Sequence, residues 1–177
     1  MEIISYILSG LSLAFLIGAS LIKGTRMKLI LLFVFTANIL IAVNYLITDG
    51  MNGAATCFVG AILTIINYFF DCNNKKVPLW LNIVYSIVFI GINILVSGSI
   101  SLLGIFVIIA ALAFIMSITQ ENGKAFRFWT IINALAWCIY DVLAKVYAPL
   151  LQHIAHFLFT VVGMVIHDFQ DKKARKD

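Results

Sequence analysis

Charge is scarce in this 177-residue chain: Asp, Glu, Lys and Arg make up 11% of it, while 63% is hydrophobic. Soluble domains carry about a quarter of their residues charged. A polar, water-facing surface is therefore excluded, and the chain reads as a polytopic membrane protein. Proline is nearly absent too. Its two copies, Pro78 and Pro149, stand at the edges of apolar runs, so no run is broken in its middle. Each falls where a helix is expected to open, and there its missing N–H has no intrahelical partner to lose. The three cysteines, Cys57, Cys72 and Cys138, show no CxxC or other paired spacing. Cys57 and Cys72 stand about 22 Å apart along one helix, and all three read as free thiols in apolar surroundings. Met27, Met51, Met116 and Met164 are scattered rather than stacked, which gives soft-metal transport no support. No HExxH, GxSxG, Walker or Cys/His metal spacing occurs. No enzyme, no catalytic residue, no metal and no cofactor are expected.

Apolar sequence, by contrast, comes in lengths that match a bilayer. The runs are 4–22, 27–47, 53–70, 78–97, 101–119, 126–145 and 149–167. A span takes about 20 residues, so the expectation is an all-α integral membrane protein of seven transmembrane helices with no separate soluble domain. The first run lacks a basic n-region and a small-residue cleavage site, and is expected to stay as a helix. Lys and Arg concentrate in alternate connections: Lys23, Arg26 and Lys28; Lys75 and Lys76; Lys124 and Arg127; and Lys172, Lys173, Arg175 and Lys176 in the tail. Only Lys145 falls on the other side. By the positive-inside rule the N-terminus is outside and the C-terminus cytoplasmic. The net charge of +4 then needs no nucleic acid, and the basic tail reads as a topology anchor beside anionic headgroups. Trp80, Phe126, Phe128, Trp129 and Tyr147 fall at inferred membrane interfaces, as anchoring aromatics do.

Internal comparison suggests a repeat. Residues 35–46, FTANILIAVNYL, set against 129–142, WTIINALAWCIYDV, align Asn38 with Asn133 and Tyr45 with Tyr140 at an offset of 95. One residue of slippage later, TIINYFFD at 64–71 meets TVVGMVIHD at 160–168. The chain thus reads as three spans, a linker span and three more in the same direction, because an odd linker is needed to return the chain to its starting side. The expected divisions are a first triple-helix repeat over 1–76, a linker helix over 77–98, a second triple-helix repeat over 99–170 and a basic tail over 171–177.

This 3+1+3 pattern resembles the SWEET and PQ-loop (MtN3-like) transporter superfamily, and AVNYLITDGMNGAATCFVGAI is similar to the YgjV-like bacterial inner-membrane proteins. The resemblance implies two three-helix bundles about an axis along the membrane normal, with a substrate path between them. One departure stands out: the proline that hinges the first helix of each PQ-loop repeat is missing from 4–22 and 101–119, where Gly10, Gly18 and Gly104 are the residues that could supply flexibility instead.

Polar residues inside the runs carry what chemistry there is. Asn133, Trp137, Tyr140 and Asp141 fall at i, i+4, i+7 and i+8, hence on one face; Asn38 and Tyr45 repeat part of that stripe. An aromatic on one side only suggests a lopsided cavity, with Asn38 and Asn133 as hydrogen-bonding groups and Trp137, Tyr45 and Tyr140 giving stacking and shape. The two amides also fit a second role, as interhelical hydrogen bonds. Asp141 is the one carboxylate within an apolar run, where a charge costs about 2.5–3.5 kcal/mol. It can pair with Lys145 one turn on, or with His156, which the run boundaries place at the same depth, about 10 Å below the outer surface. An Asp–His pair would hold a proton or a cation. His153 stands one turn above His156, and His167 lies at the cytoplasmic end. The expected function is transport or facilitated passage of a small polar metabolite across a bacterial inner membrane by alternating access. The partners would be that solute and the lipid bilayer, with no nucleic acid and with a homo-oligomer left open. The alternative is a non-transporting scaffold, accessory subunit or sensor.

Overall fold

The computed structural model describes residues 2–24, 26–97 and 101–169. Among them are seven α-helices and no strand: α1 Glu2–Leu21, α2 Met27–Ile47, α3 Met51–Cys72, α4 Leu79–Ser97, α5 Leu102–Ile118, α6 Gly123–Ala144 and α7 Tyr147–Met164, the last continued by a π-helical turn at Val165–Phe169. The basic tail over 171–177 lies outside the described residues. Seven helices stand where seven apolar runs were read. Five are long and apolar enough to cross a membrane, namely α1, α2, α3, α6 and α7 with its π turn; the other two, Leu79–Leu95 and Leu102–Ile118, are apolar but shorter.

Helix ends follow local chemistry more closely than hydropathy. The α6 helix starts at Gly123, three residues before its apolar run, because the Asn122 side chain caps it by accepting the Ala125 N–H at 2.9 Å. Ser101 caps α5 in the same way through Gly104 at 3.1 Å. Pro149 was expected to open the last helix, yet α7 begins at Tyr147. The first turn tolerates proline throughout, since all its N–H groups lack intrahelical partners. Pro78 stands just ahead of α4, its carbonyl accepting from Leu81 N–H at 3.0 Å. Three helices close on a left-handed residue, Asp49 after α2, Asn74 after α3 and Lys145 after α6. In each the next N–H reaches back five positions: Gly50 to Tyr45, Lys75 to Phe70 and Val146 to Asp141.

Packing runs in chain order. Each helix lies against the next, α7 returns to α1, and α3 also meets α5 beside α4. Large apolar side chains such as Ile3, Leu46, Phe58, Ile87, Ile105, Leu135 and Leu158 face outward, while Ser5, Ser9, Ser12, Asn44, Thr64, Asn67 and Thr160 are buried. Polar-in, apolar-out is the arrangement a lipid solvent demands. Two apolar clusters fill the interior. One gathers Ile30, Leu31, Val34, Tyr85, Phe89, Ile115 and Phe126 toward the end bearing the α1–α2 turn. The other gathers Ile41, Tyr45, Cys57, Val107, Trp137, Tyr140 and Val146 toward the end bearing the α6–α7 turn. Phe126 is therefore core and no interfacial anchor, whereas Trp80, Phe128 and Tyr147 are exposed as anchors should be. Cys57 is buried as expected, but Cys72 is exposed at the end of α3.

Small residues bring backbones together at the α1–α2 end. A Cβ on Gly163 would collide with the Ser20 carbonyl oxygen, and one on Gly24 would stand 2.7 Å from the Gly123 backbone. Gly91, by contrast, has nothing within 4 Å. Gly163→Ala is expected to lose about 1–3 kcal/mol, the usual cost of forcing extra carbon into a filled contact. Gly91→Ala is expected to leave stability unchanged or slightly raised; thermal unfolding of the two purified variants checks the pair.

Candidate functional site

Between the two apolar clusters lies a cavity of about 50 Å³, lined from all seven helices. Leu16 comes from α1, Asn38 from α2, Thr56 and Gly60 from α3, Phe89 from α4, Phe114 from α5, Asn133 and Trp137 from α6, and Gln152, His153 and His156 from α7. A space of this size holds a few waters. Both central amides are tied down on their nitrogen. Asn133 donates to the Ala110 carbonyl of α5 at 2.8 Å, and Asn38 donates to Val34 in its own helix at 3.0 Å. The interhelical role is thus real for Asn133, and both residues line the cavity as well.

Asp141 sits one layer away, toward the α6–α7 end, and is 0% exposed. Its Oδ1 accepts from the Tyr45 hydroxyl at 2.6 Å, and its Oδ2 bonds His153 Nδ1 at 2.7 Å. Both lengths fall in the range of charge-assisted hydrogen bonds. Around this link the rings close up. Trp137 stacks on His153 with centroids 5.6 Å apart and planes 10° apart, and meets Tyr140 edge-on at 5.3 Å. Tyr45 lies 5.6 Å from Trp137 and 6.1 Å from Tyr140. Gly53 exists where it does because a Cβ there would stand 2.8 Å from the Tyr45 ring. The result joins α2, α6 and α7 through one carboxylate.

Of the residues singled out from sequence, Asn38, Asn133, Trp137 and His156 do converge on the cavity. Tyr45, Tyr140 and Asp141 pack behind Trp137 and His153 and do not line it. The expected Asp141–His156 pair is replaced by Asp141–His153. The reason is helix register. Because α7 starts at Tyr147, His156 lies about 13 Å along its axis and His153 about 9 Å, while Asp141 is only about 5 Å from the end of α6. The expected Lys145–Asp141 ion pair is not among the salt bridges of the described residues; Lys145 is the left-handed residue that ends α6, its backbone N–H reaching the Asp141 and Val142 carbonyls, and it lies in a surface groove with Ser5, Tyr6 and Thr48.

Several polar contacts escaped the sequence reading. Ser5, Ser9 and Ser12 form a buried stripe on α1, where Asn44 of α2 accepts from Ser5 at 2.6 Å and donates to Ser9 at 2.6 Å. Ser12 donates to the Ala37 carbonyl and accepts from Gln152 Nε2, both at 3.1 Å. Their i, i+4, i+7 spacing was the signal available. At the opposite end Arg127, counted above as a loop cation, is 1% exposed inside α6. It donates to the Ser20 carbonyl at 2.9 Å, to the Ile22 carbonyl at 2.7 Å and to Asp168 at 2.9 Å. His167 bonds the Leu21 carbonyl between them at 2.9 Å. A cation at the carbonyl end of a helix also meets the negative pole of its dipole.

Residues 3–170 match the Imp-YgjV family model, described as a bacterial inner membrane protein, and the chain belongs to that family. It is accordingly a multi-pass protein of the bacterial inner membrane. No curated protein and no solved structure matches the chain.

Four variants test the polar ties at the two ends. Tyr45→Phe and Asp141→Asn are each expected to destabilise by about 1.5–3 kcal/mol, the range for hydrogen bonds to charged groups. Their double variant should cost less than the sum, since one removes and the other weakens the same bond. Arg127→Leu leaves Asp168 buried without its cation and is expected to cost about 3–5 kcal/mol. Denaturation of the purified variants in mild detergent, with wild type alongside, measures all four.

Proposed function

We propose that this member of a bacterial inner membrane family is a transporter or facilitator for a small polar solute, which it holds in the cavity shared by its seven helices. The observation that carries the reading is that cavity: it gathers amide, imidazole, hydroxyl and aromatic groups from six of the seven helices, with Leu16 of α1 closing it, at the centre of an otherwise apolar bundle. Binding sites near the midplane, between helical halves, are what alternating access uses. Neither an enzyme's nucleophile and base nor a metal-binding set enters the mechanism.

The 3+1+3 repeat is part of the proposal and has support in the helix ends. Asp49 and Lys145 are both left-handed terminators, 96 positions apart, and the residues four before each are Tyr45 and Asp141. These two supply the carbonyls that close α2 and α6, and their side chains bond each other. Helix neighbours correspond as well: α1–α2 with α5–α6, α2–α3 with α6–α7, and α1–α7 with α5–α3. On this reading α4 is the linker, and α4 and α5 complete seven spans, since 17 residues is the short limit for crossing. Charge counting sets the α1–α2 end in the cytoplasm. Access from that side requires release of Arg127 from α1, and access from the other requires the Tyr45–Asp141–His153 link to part. The Asp141–His153 pair is placed to hold the proton or cation that would couple such motion.

The second reading is a non-transporting scaffold, accessory subunit or sensor. Two observations favour it: the cavity is small in this conformation, and both amides already bond backbone carbonyls. Thermal stabilisation by a panel of small polar metabolites separates the two, because a ligand at 100 times its Kd adds about 2.7 kcal/mol. Transport predicts at least one stabilising solute whose effect disappears in Asn133→Ala. A variant that is merely less stable, with no solute shifting either protein, favours the scaffold.

A further inference from the structure

We infer that the cavity selects a small ammonium-bearing molecule over an anion or a polyol. This rests on the reading above that the cavity binds a solute, and it names the class.

The inference comes from which hydrogen-bonding atoms the lining has already engaged. The Asn38 and Asn133 amide nitrogens, the Ser117 and Thr130 hydroxyls and His153 Nδ1 all bond protein acceptors. Gln152 follows suit, and its orientation is fixed. Ser12 gives its hydroxyl hydrogen to the Ala37 carbonyl, so it can only accept from Gln152, and the Gln152 nitrogen must face it. That turns Gln152 Oε1 away as an acceptor with no partner, on a residue 2% exposed. One turn along the same face of α7, His156 Nε2 is also buried without a partner, on a residue 5% exposed. An imidazole nitrogen adapts its tautomer to what meets it.

Two neighbouring polar atoms buried without partners are costly unless a guest donates to them. An ammonium group supplies several N–H donors from one atom and accepts none. An anion meets the opposite conditions, because no lysine or arginine among the described residues lines the cavity. A polyol would need donors for its own oxygens as well, and the lining offers for that the Thr56 hydroxyl, the Cys57 thiol, the Trp137 indole, the second N–H of each amide and His156, all spread around the wall, whereas the two unpartnered acceptors stand on one face of α7. Phe89, Phe114 and Phe126 complete the walls, and aromatic faces attract cations. Asp141 behind His153 adds a carboxylate in the next layer. The small volume favours a compact head such as a methylated or alkyl ammonium.

The test is thermal stabilisation of the full-length protein in mild detergent by methylammonium and ethylammonium chloride, with sodium chloride, sodium acetate and glycerol at matched concentrations. The alkylammonium salts are expected to stabilise and the others not. Gln152→Leu should weaken ammonium binding at least about tenfold, and Gln152→Glu, which keeps the acceptor and adds charge, should tighten it about tenfold; tenfold is 1.4 kcal/mol. If either variant fails to fold, the ranking of the five compounds on wild type decides alone. Stabilisation by acetate or glycerol in place of ammonium overturns the class while leaving solute binding intact. If none of the compounds stabilises the protein while another polar metabolite does, the class fails again. If no solute stabilises it, the binding reading falls as well.

Discussion

A carboxylate with no exposed surface, inside a bundle bathed in lipid, has to be satisfied by the protein itself. Asp141 meets that demand with a hydroxyl from α2 and an imidazole from α7, and the rest of the upper bundle follows. Tyr45 must lie flat enough to reach it, which requires glycine at positions 50 and 53. His153 must be held in plane, which Trp137 does by stacking. Removing any member strands the others, because a buried polar group without a partner is expensive in a medium that offers none.

The same logic governs the other end with the sign of charge reversed. Lipid supplies no hydrophobic drive between helices, so close packing and interhelical hydrogen bonds decide which helices meet. At the α1–α2 end the Arg127 guanidinium and His167 together take three successive carbonyls at the close of α1. On α3 and α5 a lighter version appears: Asn67 donates to the Ile118 carbonyl at 3.3 Å and accepts from Tyr85 at 3.0 Å. Polar ties at both ends and a cavity between them make a bundle with two separable closures.

Helix number and most helix bounds were legible in the chain, since apolar runs of bilayer length have few other readings. The α2 run, 27–47, coincides with the helix. Periodicity also showed that Asn133, Trp137, Tyr140 and Asp141 share a face, but it could not show what that face meets. His153 and His156 differ by less than one turn, so depth read from run boundaries was too coarse to choose between them, and the α6–α7 turn brings the nearer one, His153, to Asp141. Arg127 read as a loop cation because it is only the second residue of the apolar run, whereas the Asn122 cap begins the helix at Gly123 and carries Arg127 a full turn inside. The serines of α1 were passed over for a different reason: a hydroxyl barely interrupts an apolar run, so their common face leaves little trace in hydropathy. Gln152 became informative only through Ser12, 140 positions away.

The central claim is that the cavity opens to water in the working protein, and Cys57, a native residue of its wall, reports on it directly. The measurement is labelling of Cys57 in membranes by a small, membrane-impermeant methanethiosulfonate, in protein carrying Cys72→Ser and Cys138→Ser. The account predicts slow modification from inside-out and from right-side-out vesicles alike, faster when Tyr45→Phe loosens one closure. A thiol that stays unmodified from both sides until the protein is denatured would contradict it.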